Sequence, residues 1–281
     1  MKRFVLFLSL AIVGLASCEK RIPFDDPGAE PRITVNSLIE PTDSMYFYVS
    51  KSASILNPDE IEVITNAQVE IFENGNFIGN AISFIDGDYF IQHTPQVGSE
   101  YTVKVAADGL TSVEATTSIP TEAQLDFISM EEVETIEGDI RYEITMDLHD
   151  APGENFYVLR LGQESSWDNS IYDQLFYSNE PVFINRNEEN YYWEGALFDD
   201  ATFDGSTYRI KIQVGYYDPD FDYLKLFLIN ASEDHFKYRQ SYDAYYESNG
   251  DPFAQPVQIY GNVENGYGVF AGHVTTVVPV Q

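Results

Sequence analysis

The sequence predicts an all-β protein of two stacked-sheet domains with one short helix. Three observations carry that expectation. Strand-length runs with period-two alternation recur about every ten residues. They are separated by Asn-Gly, Asp-Gly and Gly-Ser turns. Only one stretch in the second half repeats with a helical period.

Residues 33–39 and 45–49 are short β-prone runs. Residues 67–72 alternate inward and outward up to Asn74-Gly75, a strong hairpin signal, and 77–84 return from it. Asp86-Gly87-Asp88 turns the chain into 89–91. Val97-Gly98-Ser99-Glu100 leads into 101–105, Asp108-Gly109 turns again, and 112–119 closes before Pro120. Seven short strands with this spacing predict an N-terminal immunoglobulin-like β-sandwich over residues 32–119.

Residues 120–124 read as a linker to a second antiparallel β-sandwich, the C-terminal β-rich domain of residues 120–281. Its strand candidates are 140–148, 155–161, 171–177, 183–185, 208–216 and 223–229. The helix is predicted near 233–247. Ser232 is a plausible N-cap, and Glu233 and Asp234 complement the helix dipole. His235, Tyr238, Tyr242, Tyr245 and Tyr246 share one face, and Asn249-Gly250 and Pro252 stop the helix.

Composition excludes several function classes. The chain carries 15 Lys+Arg against 46 Asp+Glu, a net charge of −31. A general nucleic-acid binder needs a basic footprint, and so does electrostatic attachment to anionic lipid. A single cysteine excludes an internal disulfide framework and a Cys-rich zinc site. No Gly-x-Ser-x-Gly elbow, His-Glu-x-x-His or phosphate-binding Gly-rich loop is present. The four histidines have no ligand spacing. No catalysis and no cofactor are expected.

Residues 1–17 read as a signal peptide: Lys2 and Arg3 precede an apolar stretch over 4–15, too short to span a bilayer. It ends Leu15-Ala16-Ser17-Cys18, which resembles the lipobox of bacterial lipoproteins. That resemblance implies cleavage before Cys18 and a lipid on its thiol. Anchoring by more than one acyl chain is durable. The polar, Pro-containing residues 18–31 then form a tether.

The stretch Gly250-Asp251-Pro252-Phe253-Ala254-Gln255-Pro256, with Tyr260-Gly261-Asn262-Val263 and Asn265-Gly266-Tyr267-Gly268 beyond it, resembles a C-terminal signature. The family is the Bacteroidota outer-membrane lipoproteins catalogued as domain of unknown function 4249. The Cys18-Glu19-Lys20 start, Asn66-Ala67-Gln68-Val69, Gly87-Asp88-Tyr89 and the tyrosine-rich helix match it too. The resemblance implies an outer-membrane or cell-surface lipoprotein, often encoded beside TonB-dependent receptors, and it brings no catalytic residues. Within the signature Asn262, Asn265, Gly266 and Gly268 suit tight turns. The segment reads as a structural corner before a ligand rim.

Two candidate sites remain. Trp167 and the consecutive Tyr191, Tyr192 and Trp193 offer aromatic platforms for sugar rings or peptide. Tyrosine is also simply β-prone, with its hydroxyl at a core edge. Alternate carboxylates at Asp218, Asp220 and Asp222 suit calcium. The loop lacks the Gly and distal Glu of an EF-hand, which makes a solvated turn the simpler reading. The expected function is a lipid-anchored accessory protein that binds a nutrient ligand or partners a TonB-dependent receptor. A surface adhesin or structural scaffold is the alternative.

Overall fold

The computed structural model describes residues 30–42, 44–54, 61–136, 138–165, 167–184, 190–215, 223–248 and 254–280. The leader, Cys18, most of the tether and the Asp218, Asp220 and Asp222 loop lie outside the described residues.

The first half contains β1 (Ile33–Ile39), β2 (Met45–Lys51), β3 (Gln68–Glu73), β4 (Asn76–Ile85), β5 (Asp88–Ile91), β6 (Glu100–Ala106) and β7 (Val113–Ser118). Each predicted run is a strand. Asn74 and Gly75 close the β3–β4 hairpin at φ 50° and 77°, the left-handed pair such a turn demands. The long β4 serves two layers. Its first part pairs with β3 (Val69↔Ala81) and its second with β5 (Ile82↔Phe90). Alternate residues such as Val35, Phe47, Val49, Ile71 and Val103 fill the space between. Tyr89 and Tyr101 are fully buried there, and both hydroxyls are satisfied. Tyr89 donates to the Ile64 carbonyl at 2.8 Å and accepts from Ala67 N–H. Tyr101 donates to Glu73 at 2.6 Å and accepts from Gln96 N–H.

The second half contains β8 (Gln124–Glu134), β9 (Ile140–His149), β10 (Phe156–Glu164), β11 (Ile171–Asp173), β12 (Phe176–Tyr177), β13 (Tyr191–Tyr192), β14 (Ala196–Asp199), β15 (Thr207–Gly215), β16 (Leu224–Ala231), α1 (Glu233–Ser248) and β17 (Tyr267–Pro279). A five-stranded sheet, β13-β12-β15-β9-β8, covers the second core. That core joins Ile144, Met146, Ile210 and Ile212 to Tyr157, Leu161, Leu226 and Leu228. The predicted run 171–177 is two short strands. Phe183 and Ile184 are not strand, and Asn185 lies outside the described residues.

One strand joins the halves. β17 runs antiparallel to β16 (Leu226↔Val278) and parallel to β1 (Leu38↔Ala271). The result is one twelve-stranded sheet in the order β11-β10-β16-β17-β1-β2-β5-β4-β3-β6-β7, with β14 beside β10. Phe270 and Val274 of β17 sit in the first core, while Val278 packs on the second. The β1–β17 approach requires glycine at 268. There φ is +104°, and a Cβ would fall 2.0 Å from the Val35 carbonyl oxygen.

Candidate functional site

Helix α1 lies on the outer face of the continuous sheet. Ser232 caps it, its Oγ accepting from His235 N–H at 3.2 Å. The same oxygen accepts from Gly272 N–H at 3.2 Å and lies 3.3 Å from the Thr117 hydroxyl oxygen. One buried side chain thus ties α1 to β17 and β7. Asp234 in the first turn accepts from Thr117 and from the Tyr260 hydroxyl, and burial beside that carboxylate pushes the Tyr260 phenol up to about 12. The apolar anchor is Phe236. It packs 4.8 Å from the Phe156 ring and against Val158, Leu197 and Ile229.

The face predicted from the 3.6-residue period is therefore not the core face as a whole. His235 is buried, whereas Tyr245 and Tyr246 are exposed. With Arg239, this face lines a groove of three adjoining hollows. The first, about 360 Å³, lies between Tyr191–Trp193 and Tyr242, Asp243 and Tyr246. The second, about 400 Å³, is lined by Arg160, Asp173, His235 and His273. It shares Trp193, Glu194 and Arg239 with the first. The third, about 460 Å³, lies among Leu38, Tyr46, Tyr48 and Tyr238. It shares Leu38, His235 and Arg239 with the second.

The two guanidiniums are held by carboxylates of the groove. Arg160 contacts Asp173 at 2.6 Å, and Arg239 lies 3.6 Å from both Glu194 and Asp243. The His235 and His273 rings stand 5.2 Å apart, and His273 Nε2 is 3.4 Å from Glu40. Burial pushes the His235 imidazole down to about 3, helped by His273 and Arg239. Burial also lowers His273, against the pull of Glu40. Both are therefore neutral at pH 7. Their Nδ1 atoms, and Arg239 Nε, are buried without a hydrogen-bond partner among the described residues. Along the rim the Tyr238, Tyr242 and Tyr246 rings follow one another at 5.8 and 4.7 Å. Hydrogen bonding to Tyr246 pushes the Tyr242 phenol up to about 12.

The structure brings Tyr191 and Trp193 to the mouth of the first hollow. Tyr192 turns inward between them and packs on Phe176 and Phe183 at 5.3 and 5.4 Å. Adjacent aromatics on a strand must face opposite ways, so the triplet splits into rim and core. Trp167 is 95 % exposed on the β10–β11 turn and does not line the groove. Arg160, Arg239 and Glu194 came with no sequence signal. They are single charged residues in a strand, a helix and a turn, and only the tertiary fold assembles them.

Among the described residues, one carboxylate cluster has the spacing of a cation site: Asp150, Asp200 and Asp204, with ligand atoms within 4.8 Å of one another. Burial raises the Asp200 pKa. These carboxylates already organise two loops. Asp150 accepts from the Tyr157 hydroxyl and Gly205 N–H, Asp200 from Asn155, and Asp204 from Gly153 N–H.

A family model described as "Domain of unknown function (DUF4249)" matches residues 19–277. The chain belongs to the DUF4249 family. A comparison with curated proteins returns no match. Among solved structures this DUF4249 chain is similar to a DUF4785 family protein from Legionella pneumophila, at 10 % identity and TM-score 0.29, over 73 % of this chain and 52 % of that one. It is also similar to a protein described as membrane anchored from Corynebacterium diphtheriae, at 10 % and 0.22, over 72 % and 55 %. A third is bovine butyrophilin, at 12 % and 0.21, over 71 % and 92 %. The chain spans about half the length of the first two. These TM-scores are low, and no role carries over from them.

Proposed function

We propose that this DUF4249 protein is a lipid-anchored cell-envelope accessory protein that binds a nutrient ligand or a TonB-dependent receptor in the groove beside α1, without catalysis. The carrying observation is the groove itself. It is aromatic-walled, crossed by held guanidiniums and carboxylates, and built from segments far apart in sequence. Concave, largely apolar sites with a few fixed polar groups are what ligand recognition uses. Its imidazoles are buried and neutral, and among the described residues the Nδ1 atom of each has no hydrogen-bond partner. No described helix is long and apolar enough to cross a membrane. In this reading attachment is through a lipid on Cys18, and the net charge of −31 gives the body no affinity of its own for an anionic surface.

The test is purification of the tagged full chain from native membranes in mild detergent, for the parent and the Trp193→Ala and Cys18→Ser variants. Expected are a TonB-dependent barrel or a small ligand retained by the parent and lost from Trp193→Ala, and labelled palmitate incorporated only when Cys18 is present. A parent isolated free of both, or equal retention by Trp193→Ala, overturns the binding reading. Palmitate on the Cys18→Ser chain overturns the anchor.

A further inference from the structure

The groove does not end at its third hollow. On the outer face of the first sandwich an apolar row continues it across neighbouring strands. Leu38 and Tyr46 line the hollow. Tyr46 is paired in register with Phe90, and Phe90 with Ile82. The Tyr46 and Phe90 rings stack at 6.2 Å, and Phe84 meets Phe90 edge-on at 5.7 Å. These side chains point away from the core, with Ile82 59 %, Phe84 58 %, Tyr46 56 % and Leu38 50 % exposed. Exposed apolar groups scattered singly need no explanation, but a contiguous row marks an interaction surface.

Length and charge say what fits. From β10 to β4 along the sheet order there are six inter-strand steps, about 29 Å at about 4.8 Å each. An extended polypeptide covers that span with about nine residues at about 3.3 Å per residue. Sugar-binding surfaces rely on flat aromatic faces, whereas this row sets the aliphatic Leu38 and Ile82 among Tyr46, Phe84 and Phe90, and such a mixed apolar surface suits amino-acid side chains. Glu194, Asp243, Glu247, Asp88 and Asp173 line the hollows against Arg160 and Arg239. Both arginines are already paired with carboxylates within the protein, and His235 and His273 are neutral. The surface is therefore apolar and electronegative. We infer that it seats an extended polypeptide segment of about nine residues in which apolar side chains alternate with lysine or arginine. This inference deepens the groove reading above and rests on it.

The test uses the full chain in mild detergent and three probes: a nonapeptide of alternating leucine and lysine, its leucine–glutamate counterpart, and a neutral oligosaccharide. The lysine peptide should bind at least tenfold more tightly than the glutamate peptide and weaken as salt rises. Tyr46→Ser and Ile82→Ser leave the charge unchanged and should each weaken it about tenfold, with unfolding midpoints close to the parent's because both side chains are exposed. Equal binding of the two peptides overturns the inference, and so does unchanged affinity in both serine variants, which would mark adsorption by charge alone. Trp193-dependent binding of the saccharide with no peptide binding overturns it while the groove reading stands. No binding of any probe, together with equal retention by Trp193→Ala in the purification above, overturns both.

Discussion

Acidification should loosen the wall of the groove, and the histidine pair beneath α1 sets the size of the effect. His235 is 6 % exposed and its imidazole is held down to about 3, against about 6.5 in an unfolded chain. The unfolded chain accepts a proton that the folded chain refuses. Stability is therefore complete above about pH 6.5 and is lost as pH falls from there toward about 3. For one such group the loss between about pH 7.5 and about pH 5.5 is about 1.4 kcal/mol. His273, also lowered by burial, adds in the same direction. The groups facing the pair are Arg239 and Arg160, which oppose protonation, and Glu40, which favours it. Urea unfolding of the parent and of His235→Gln at the two pH values isolates the effect, because other titrating groups cancel in the difference. The stability advantage of the parent over the variant should shrink by about 1.4 kcal/mol on acidification. Parallel pH profiles would refute the reasoning, since they would mean that the folded state protonates His235 as readily as the unfolded one.

Other expectations concern the joints of the fold. Ser232→Ala removes a cap, worth about 1 kcal/mol, and strands the buried Gly272 N–H. A loss of about 2 kcal/mol should appear as a lower urea midpoint with an unchanged slope. Phe270→Ala empties a fully buried site 5.9 Å from the Phe47 ring and should cost about 3–5 kcal/mol in the same assay. Gly268→Ala places a methyl 2.0 Å from the Val35 oxygen at φ +104°. The variant should lose about 3 kcal/mol or more, and amide exchange should rise along β1 relative to β9.

The first sandwich was legible strand by strand because its β-prone runs lie between turns of fixed chemistry and several of them alternate. In β1, for example, Ile33 and Val35 face in while Asn36 and Leu38 face out. The helix was legible from Ser232 and its acidic first turn. The missed elements lack those signals. β8 breaks its alternation with a bulge between Phe127 and Ser129 and ends in Glu131, Glu132 and Glu134. β14 is four residues long and almost wholly buried, so it shows no period. The shared face of the helix tyrosines does not make the anchor, which is Phe236, off that face. Of the aromatic candidates, Tyr191 and Trp193 stand at the groove and Tyr192 packs inward from it. Trp167 did not join them, and the charged partners at 160, 194 and 239 belong to no local pattern. The parallel pairing of β1 with β17 has no local signature either, since periodicity tells a strand's faces and never its neighbour.

The partnership of Asn36 with Val269 also sets a timetable. While the polypeptide is being made, the first sandwich lacks one of its inner staves until residues more than two hundred positions downstream have emerged. Closing so long a loop is slow. The bare flank of β1 stays open to rival strands meanwhile. A chain emerging in extended form would thus complete its amino-terminal half last, and a nascent product halted before position 267 would carry an unfinished module rather than one good half.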